Sequence, residues 1–184
     1  MDNTKSLIDA LPEAAKDLKL NLQSVLGDGT LSREQRFGVA LACAFASRNE
    51  ALRDALAQDV RDALGDASQD AWFEDAQAAA ALMAMNNVYY RFRHMIGKPS
   101  YGTLPAKLRM GRIANPKTSK LDFELMCLAV SAINACEMCV RSHEHSLLEL
   151  GASEAQVHDA VRIAAVVNGV AVSLELQGAP AGDI

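Results

Sequence analysis

Aromatic residues make up only 5% of the 184 residues, and no run of about 18 consecutive apolar residues is present. The scarcity of aromatic side chains, together with many alanines, favours close helix packing over an aromatic-rich sheet. Without a long apolar run, we expect no membrane-spanning segment. The first residues do not follow the charged-then-apolar order of a secretory signal, so we expect a cytoplasmic protein.

Basic residues are also in the minority. The chain has 18 Lys and Arg against 23 Asp and Glu, a formal net charge of −5. Nucleic-acid-binding proteins present basic surfaces, so we expect no nucleic-acid partner. Half of the residues are hydrophobic, which is enough for one buried core. The length therefore suits a single domain over residues 1–184.

Sustained strand-like alternation is missing, and helical periodicity is present almost throughout, so the predicted class is all-α. Ser32 is a predicted helix cap, and Gly151 is a predicted helix stop. The segment 97–120 is rich in glycine and proline and is predicted to be an irregular linker with a short helix around 104–110. Helices are expected over residues 9–26, 33–47, 49–64, 68–93, 121–133, 136–150 and 153–177.

A faint internal repeat suggests that two parts of the chain are similar. The residues after Phe37 resemble those after Phe123, and Asn86-Asn87-Val88 resembles Asn168-Gly169-Val170. Echoes of this kind arise by chance in alanine-rich helices. If the repeat is real, it predicts an N-terminal half of about 1–96 and a C-terminal half of about 121–177.

The residue types of Cys136-Glu137-Met138-Cys139, followed by His143, indicate the chemistry of this chain. Residues three and four apart share one helix face. In a cytosolic protein a CxxC pair indicates catalysis or metal binding, and it cycles easily between dithiol and disulfide. His143 can exchange protons with the thiols. Because a helix is predicted to begin at Cys136, the helix dipole favours the thiolate of this cysteine.

One further residue bears on this cluster. Glu124 is a lone carboxylate in an apolar helical pattern, so it must find a partner or stay protonated. If its helix packs against the CxxC helix, His143 or a thiol is the natural partner. The alternative is that Glu124 is an ordinary exposed residue on an amphipathic helix.

The other two cysteines, Cys43 and Cys127, lie alone in apolar stretches and are expected to be buried structural thiols.

A zinc site is the main alternative for the cluster. Cys136, Cys139, His143 and His145 are of ligand type, but His143 and His145 diverge on one helix and cannot complete a tetrahedron. No second Cys or His pair lies elsewhere in the sequence. We therefore expect no bound metal or cofactor. A thioredoxin fold is also disfavoured, because its CxxC follows a strand.

Residues 131–139 and 142–145 resemble the active-site motif of the AhpD alkyl hydroperoxide reductases, a family within the carboxymuconolactone decarboxylase-like superfamily. The resemblance covers nearly the whole chain. Further similar segments are residues 10–13, 19–22, 85–91, 108–110 and 113–116. One departure is Met138, since some members have a histidine immediately before the second cysteine.

The resemblance implies an all-helical homotrimer with two similar halves per subunit, acting as an antioxidant peroxidase. It implies that Cys136 and Cys139 form a redox disulfide. By this resemblance Cys139 attacks an organic hydroperoxide and becomes a sulfenic acid, and Cys136 is the resolving cysteine and proton donor. Glu124 and His143 would form the proton relay. This assignment differs from the helix-dipole argument, which favours Cys136 as the more acidic thiol.

The resemblance also implies two redox partners. The reductant would be dihydrolipoamide carried by a lipoyl-bearing 2-oxoacid dehydrogenase component, and the chain would also reduce the peroxiredoxin AhpC. Two alternatives remain. The chain could serve mainly as a dithiol electron-transfer adaptor between these two proteins. It could instead be a decarboxylase of the parent superfamily, but those enzymes act without a CxxC pair.

Overall fold

The computed structural model describes residues 2–65 and 69–177, and the regular elements of these residues are all helices. The elements are α1 (Asp2–Asp9), a 3₁₀ turn (Glu13–Ala15), α2 (Lys16–Gly27), α3 (Arg33–Ser47), α4 (Glu50–Leu64), α5 (Gln69–Ile96), α6 (Pro99–Thr103), α7 (Gly111–Ala114), α8 (Lys120–Ile133), α9 (Glu137–Glu149) and α10 (Glu154–Gln177). The predicted all-α class is confirmed.

Helices α3 and α8 form the centre of the core. They pack against each other, and each also packs against α5 and α10. Every residue of 37–44 in α3 and of 123–131 in α8 is buried, as expected for helices that are surrounded by other helices. Helix α9 packs on α8 and α5. The CxxC helix therefore lies at the edge of the core, directly over two of its main helices.

Gly38 allows α3 to approach the indole of Trp72 closely. A Cβ atom at this position would lie 2.3 Å from Cε3 of Trp72, which is itself buried. We expect Gly38→Ala to lower the free energy of unfolding by about 1–3 kcal/mol, because a packed ring has little room to move. Urea unfolding followed by tryptophan fluorescence measures this change.

Gly27 offers the matched control for that substitution. It is the last residue of α2, and an added Cβ would meet nothing within 4 Å. Gly27→Ala should therefore be neutral or slightly stabilising, since alanine has the higher helix propensity. Equal destabilisation by the two substitutions would show that the contact with Trp72 is not the cause.

The predicted cap and stop lie where expected. Ser32 accepts a hydrogen bond from the backbone of Gln35, whose side chain in turn accepts one from the backbone of Ser32. Gly151 has φ +89° and follows α9. Its N–H donates to the carbonyl of Leu148, and the N–H of Ala152 donates to that of Leu147. These local signals end helices wherever they occur.

The predicted helix 9–26 begins too early, and a first helix that precedes it was not predicted. Helix α1 ends at Asp9, and α2 begins only at Lys16, after Pro12 in extended conformation. The start of α1 is held by Asp59 of α4, whose carboxylate accepts hydrogen bonds from the backbone N–H groups of Asn3 and Thr4. Such a cap comes from a distant part of the sequence, so local periodicity did not reveal it.

The predicted short helix at 104–110 is also wrong. Helices α6 and α7 lie on either side of these residues instead. Pro105 disfavours helical conformation at the residue before it, and Leu104 is accordingly extended. Lys107 has φ +51°, which a continuing helix does not permit. Segment 97–120 thus contains two single-turn helices, α6 and α7, and the chain between them is irregular.

Helix α10 is long and apolar enough to cross a bilayer by length and composition, with a mean hydropathy of 1.4 over Glu154–Leu176. The sequence did not predict this property of α10, because polar residues interrupt its apolar stretches. The helix packs against α2, α3 and α8, and residues such as Ile163 and Val167 are buried in the core. Its hydropathy therefore fits a partly buried core helix.

A shared corner supports the predicted halves, which stay a prediction. Helix α3 is followed by Arg48 with φ +62°, and α8 is followed two residues later by Ala135 with φ +52°. In both cases the next residue, Asn49 or Cys136, is the N-cap of the following helix. Left-handed non-glycine residues are uncommon, so the repetition of this corner fits a repeated helix pair.

Candidate active site

The corner between α8 and α9 places Cys136. The N–H of Ala135 donates to the carbonyl of Ala132 at 3.0 Å, and the N–H of Cys136 donates to that of Ser131 at 3.1 Å. This pair of hydrogen bonds is a helix C-terminal motif that usually contains glycine in the left-handed position taken here by Ala135. It turns the chain so that Cys136 is the N-cap of α9. The predicted helix boundary between 133 and 136 is confirmed.

Two side chains of α5 brace this corner. Arg91 donates a hydrogen bond to the backbone carbonyl of Asn134 at 2.7 Å. The Asn87 amide accepts from the Asn134 amide at 2.9 Å and donates to the Ser131 hydroxyl at 3.0 Å. Asn87 is buried, so its hydrogen bonds are well protected from water. Sequence reasoning did not assign these residues to the site, although an Asn pair in an apolar helix was a signal.

The two cysteines of the motif are joined. A disulfide links Cys136 and Cys139, whose Cα atoms are 5.3 Å apart. Their exposure differs in kind, because Cys136 is completely buried whereas Cys139 is 6% exposed. Cys139 also lines a cavity, and Cys136 is not among the lining residues. A small molecule in this cavity would meet Cys139 first.

Glu124 lies beside His143, across the interface of α8 and α9. One carboxylate oxygen is 2.5 Å from Nδ1 of His143, and the other is 2.7 Å from Nζ of Lys120. The Glu124 side chain is 4% exposed. Burial by itself would raise the pKa of Glu124, but the hydrogen bonds from His143 and Lys120 lower it below the ordinary value. The carboxylate is therefore ionised at neutral pH, and it is not the ordinary exposed residue of the alternative interpretation.

The second nitrogen of His143 points away from Glu124. Nε2 lies 3.3 Å from the sulfur of Met83 on α5, and both residues line the cavity with Cys139. A carboxylate on Nδ1 fixes the ring orientation and makes Nε2 the nitrogen that can exchange a proton with a group in the cavity. An imidazole oriented in this way can serve as the base for a thiol in the same cavity.

Lys120 is a site residue that the sequence reasoning missed. It begins α8, lines the cavity, and stands four residues before Glu124 on the same helix. That spacing was a signal, because residues four apart on a helix are neighbours. Its effect is electrostatic, because a cation on the second carboxylate oxygen of Glu124 favours the charged form of that carboxylate.

The cavity has a volume of about 460 Å³. Four parts of the chain contribute to it: α5, segment 97–120, α8 and α9. Most of the lining surface is apolar, and three of the lining side chains are methionines, so the site suits an organic group better than an ion. The lining residues are Met83, Asn86, Tyr90, Met110, Ile113, Lys120, Glu124, Met138, Cys139, Ser142, His143 and Ser146.

The zinc alternative does not have its ligands together. The sulfurs of Cys136 and Cys139 are bonded to each other. His145 is exposed and pairs with Glu149 at 3.4 Å, and it is not among the residues that line the cavity. Across residues 2–65 and 69–177, no group of three or more His, Cys, Asp or Glu side chains could hold a metal ion.

Cys43 and Cys127 are not part of the site. Both are buried free thiols, and burial raises the pKa of each. A thiol that stays protonated is a poor nucleophile. The structure thus places these two cysteines where the sequence predicts them, in the core.

Comparison with known proteins identifies the relatives of this chain. The model of the "Carboxymuconolactone decarboxylase family" matches residues 99–178. The protein "Alkyl hydroperoxide reductase AhpD" of Anaeromyxobacter dehalogenans (strain 2CP-C) is 62% identical over 92% of this chain and 89% of its own length. Its counterpart in Anaeromyxobacter sp. (strain K) is 58% identical, covering 97% and 94%. That of Beijerinckia indica is 49% identical, covering 95% of each chain.

Proposed function

Since the chain belongs to the AhpD alkyl hydroperoxide reductases of the carboxymuconolactone decarboxylase family, we propose that Cys139 is its peroxidatic cysteine and Cys136 its resolving cysteine. The activity is that of an antioxidant peroxidase-type oxidoreductase. One observation carries the assignment of the roles. Cys139 lines the cavity that His143 and the ionised carboxylate of Glu124 also line, whereas Cys136 is completely buried.

The first step is the reduction of the hydroperoxide. In the dithiol form, His143, oriented by Glu124, accepts the proton of Cys139. The thiolate attacks the outer oxygen of ROOH and the O–O bond breaks. The leaving alkoxide takes a proton from His143, so that an alcohol departs and Cys139 becomes a sulfenic acid. The apolar cavity wall accommodates the organic group R.

The second step forms the disulfide that the structure contains. The thiol of Cys136 gives up its proton and attacks the sulfur of the Cys139 sulfenic acid, and water leaves. The position of Cys136 at the N-cap of α9 assists this step, because the helix N-terminus favours a thiolate. The Cα distance of 5.3 Å lies in the usual range for a disulfide, so the backbone need not move far.

The third step restores the dithiol. The reducing substrate is dihydrolipoamide, carried by a lipoyl-bearing 2-oxoacid dehydrogenase component. One of its thiolates attacks Cys139, which is the sulfur at the cavity, and Cys136 leaves as the thiolate. The second lipoyl thiol then displaces Cys139, so that two electrons have passed to the protein. By the same exchange the reduced chain can pass electrons to the peroxiredoxin AhpC.

The proposed assembly is a cytoplasmic homotrimer. Several large apolar side chains of the described residues are exposed, among them Val88 and Met95 on α5 and Val172 and Leu176 on α10. Large apolar side chains that are exposed on two helices support an assembly in which another subunit covers them. Light scattering of the purified protein measures the subunit number.

A coupled assay tests the proposed function. The purified protein is combined with NADH, lipoamide dehydrogenase, lipoamide and cumene hydroperoxide, and NADH absorbance is followed. We expect NADH loss that depends on the hydroperoxide and disappears in Cys136→Ser, since that variant cannot form the disulfide. Loss of NADH only after AhpC is added would favour the electron-transfer adaptor. No reduction of the disulfide by dihydrolipoamide would contradict both functions.

A further inference from the structure

The charges of the chain are strongly segregated. Residues 76–121 contain no Asp or Glu but eight of the 18 Lys and Arg, and all 23 acidic residues lie outside this stretch. The stretch therefore has a formal charge of +8, and the rest of the chain has −13. The net charge of −5 conceals this difference, so the overall acidity of the chain is a poor guide to its surface.

The basic stretch is held in place by defined contacts. The ring of Tyr101 on α6 lies 5.2 Å from that of Phe92 on α5. Arg112 on α7 pairs with Glu74 at 2.9 Å. The buried carboxylate of Asp75 accepts hydrogen bonds from the backbone N–H groups of residues 117 and 118. Segment 97–120 is therefore attached to α5 at several points and presents a fixed surface.

Four cations of this segment are exposed and make no ion pair among the residues that the structure describes. They are Lys98, Lys107, Arg109 and Lys117, and we call them the basic surface. The other two cations of the segment differ, because Arg112 pairs with Glu74 and Lys120 pairs with Glu124. Unpaired cations of one sign on one segment produce a positive potential that a partner can use.

The basic surface borders the cavity of Cys139. Arg109 precedes Met110 directly, and both Met110 and Ile113 of the same segment line that cavity. Leu104 is 56% exposed on the same segment. Cations next to an exposed apolar residue are typical of a protein-binding surface, where charges orient the partner and apolar contacts hold it.

We propose that the basic surface docks an acidic carrier protein, which then delivers a dithiol arm into the cavity of Cys139. This inference rests on the proposed function and adds the docking site for the reductant. A neutral hydroperoxide gains nothing from a positive surface, whereas a negatively charged protein is steered by it. The redox step is the exchange already given, in which the two carrier thiols become a disulfide and the Cys136–Cys139 disulfide becomes two thiols.

A nucleic acid is the other polyanion to consider. The remainder of the chain carries a formal charge of −13, which repels a long phosphate backbone outside a small patch. A compact acidic domain needs only the patch itself. The location beside a cavity with a reducible disulfide also favours a partner that carries electrons.

The test compares two forms of the same reductant. The variant Lys107→Glu/Arg109→Glu reverses two charges of the basic surface, and neither residue lines the cavity. Lys5→Glu/Lys16→Glu is the matched control on α1 and α2. For each protein, kcat/KM is measured with free dihydrolipoamide and with an intact lipoylated acyltransferase whose lipoyl region is acidic.

We expect the Lys107→Glu/Arg109→Glu variant to lose about tenfold or more in kcat/KM with the acyltransferase, because electrostatic steering contributes factors of this size. Its kcat/KM with free dihydrolipoamide should equal that of the wild type. The control should behave as the wild type with both reductants. The wild-type rate with the acyltransferase should fall as salt rises from about 20 to about 300 mM.

Several outcomes would overturn the proposal. An unchanged rate with the acyltransferase removes the docking site but leaves the peroxidase intact. No wild-type rate with free dihydrolipoamide means that the proposed function itself has failed. A changed subunit number in the variant, seen by light scattering, would make the surface a contact between copies of this chain. Tight binding of a duplex DNA of about 30 base pairs, lost in the variant, would assign the surface to nucleic acid.

Discussion

Cys139→Ser is expected to lower hydroperoxide turnover by at least about 10³-fold, to the level of the uncatalysed reaction. A serine hydroxyl is not ionised near neutral pH and does not attack an O–O bond, and the variant cannot form the disulfide with Cys136. The coupled NADH assay with cumene hydroperoxide measures the loss. Circular dichroism should show an unchanged helix content, because the two side chains have nearly the same size.

Cys136→Ser distinguishes the two cysteines. This variant retains the cavity-facing thiol, so we expect one equivalent of alcohol per chain and a sulfenic acid on Cys139 that a dimedone probe traps. Cys43→Ala is the control, since a buried thiol outside the site should not affect turnover. A trapped sulfenic acid on Cys136 in the Cys139→Ser protein would reverse the assignment and favour the helix-dipole argument instead.

The fold class was predictable because most helix signals are local. Periodicity, the cap at Ser32 and the stop at Gly151 lie within a few residues of the helices that they define. Helix α1 was not predicted, because the first N–H groups of this helix are bound by Asp59, more than fifty residues away. A cap of that kind exists only in the folded chain.

The site was predictable to the same extent. Cys136, Cys139 and His143 follow one another within eight residues, so helix spacing alone relates them. Glu124 was signalled by its isolation in an apolar helix, but only packing shows that it meets His143. Met83, Asn87 and Arg91 of α5 are brought to the site by packing, and their local sequence gives no sign of which corner they contact.

Glu124→Gln is expected to lower kcat/KM for the hydroperoxide by about 10²-fold, the usual size of a lost proton-transfer partner. Glutamine has the same shape and still accepts a hydrogen bond from His143, but it lacks the negative charge that attracts the proton accepted from Cys139. We therefore expect a higher apparent pKa for Cys139 alkylation by iodoacetamide, measured in the Cys136→Ser background. A merely structural role for Glu124 would not move that pH profile.

Asp122→Asn is the matched control, two residues away on α8. Asp122 accepts hydrogen bonds from Gln35 and Ser119 and is not among the cavity residues. This change removes one negative charge from the same helix, so it measures any effect of net charge alone. Normal turnover in Glu124→Gln, or an equal loss in Asp122→Asn, would remove the relay.

The same carboxylate makes the stability of the protein depend on pH. Burial would raise the pKa of Glu124, but the hydrogen bonds from His143 and Lys120 outweigh burial and lower this pKa below the ordinary value of a glutamate. A group with a lowered pKa contributes stability above its unfolded value and loses that contribution as pH falls through the folded value. Below about pH 4.5 the wild type should thus lose more of its free energy of unfolding than Glu124→Gln does, measured by urea unfolding at several pH values.

A double variant shows whether Glu124 acts through His143. Suppose that the Glu124 carboxylate acts only by orienting the His143 imidazole and attracting the proton that it accepts. The double variant Glu124→Gln/His143→Gln should then be no slower than His143→Gln alone, because Glu124 has nothing left to act on once the imidazole is removed. If the loss of rate in the double variant equals the product of the two single losses, Glu124 also acts through a residue other than His143. The geometry indicates Lys120, since it binds the other carboxylate oxygen and lines the same cavity. Repeating the comparison in Lys120→Met then separates the two contacts of one carboxylate.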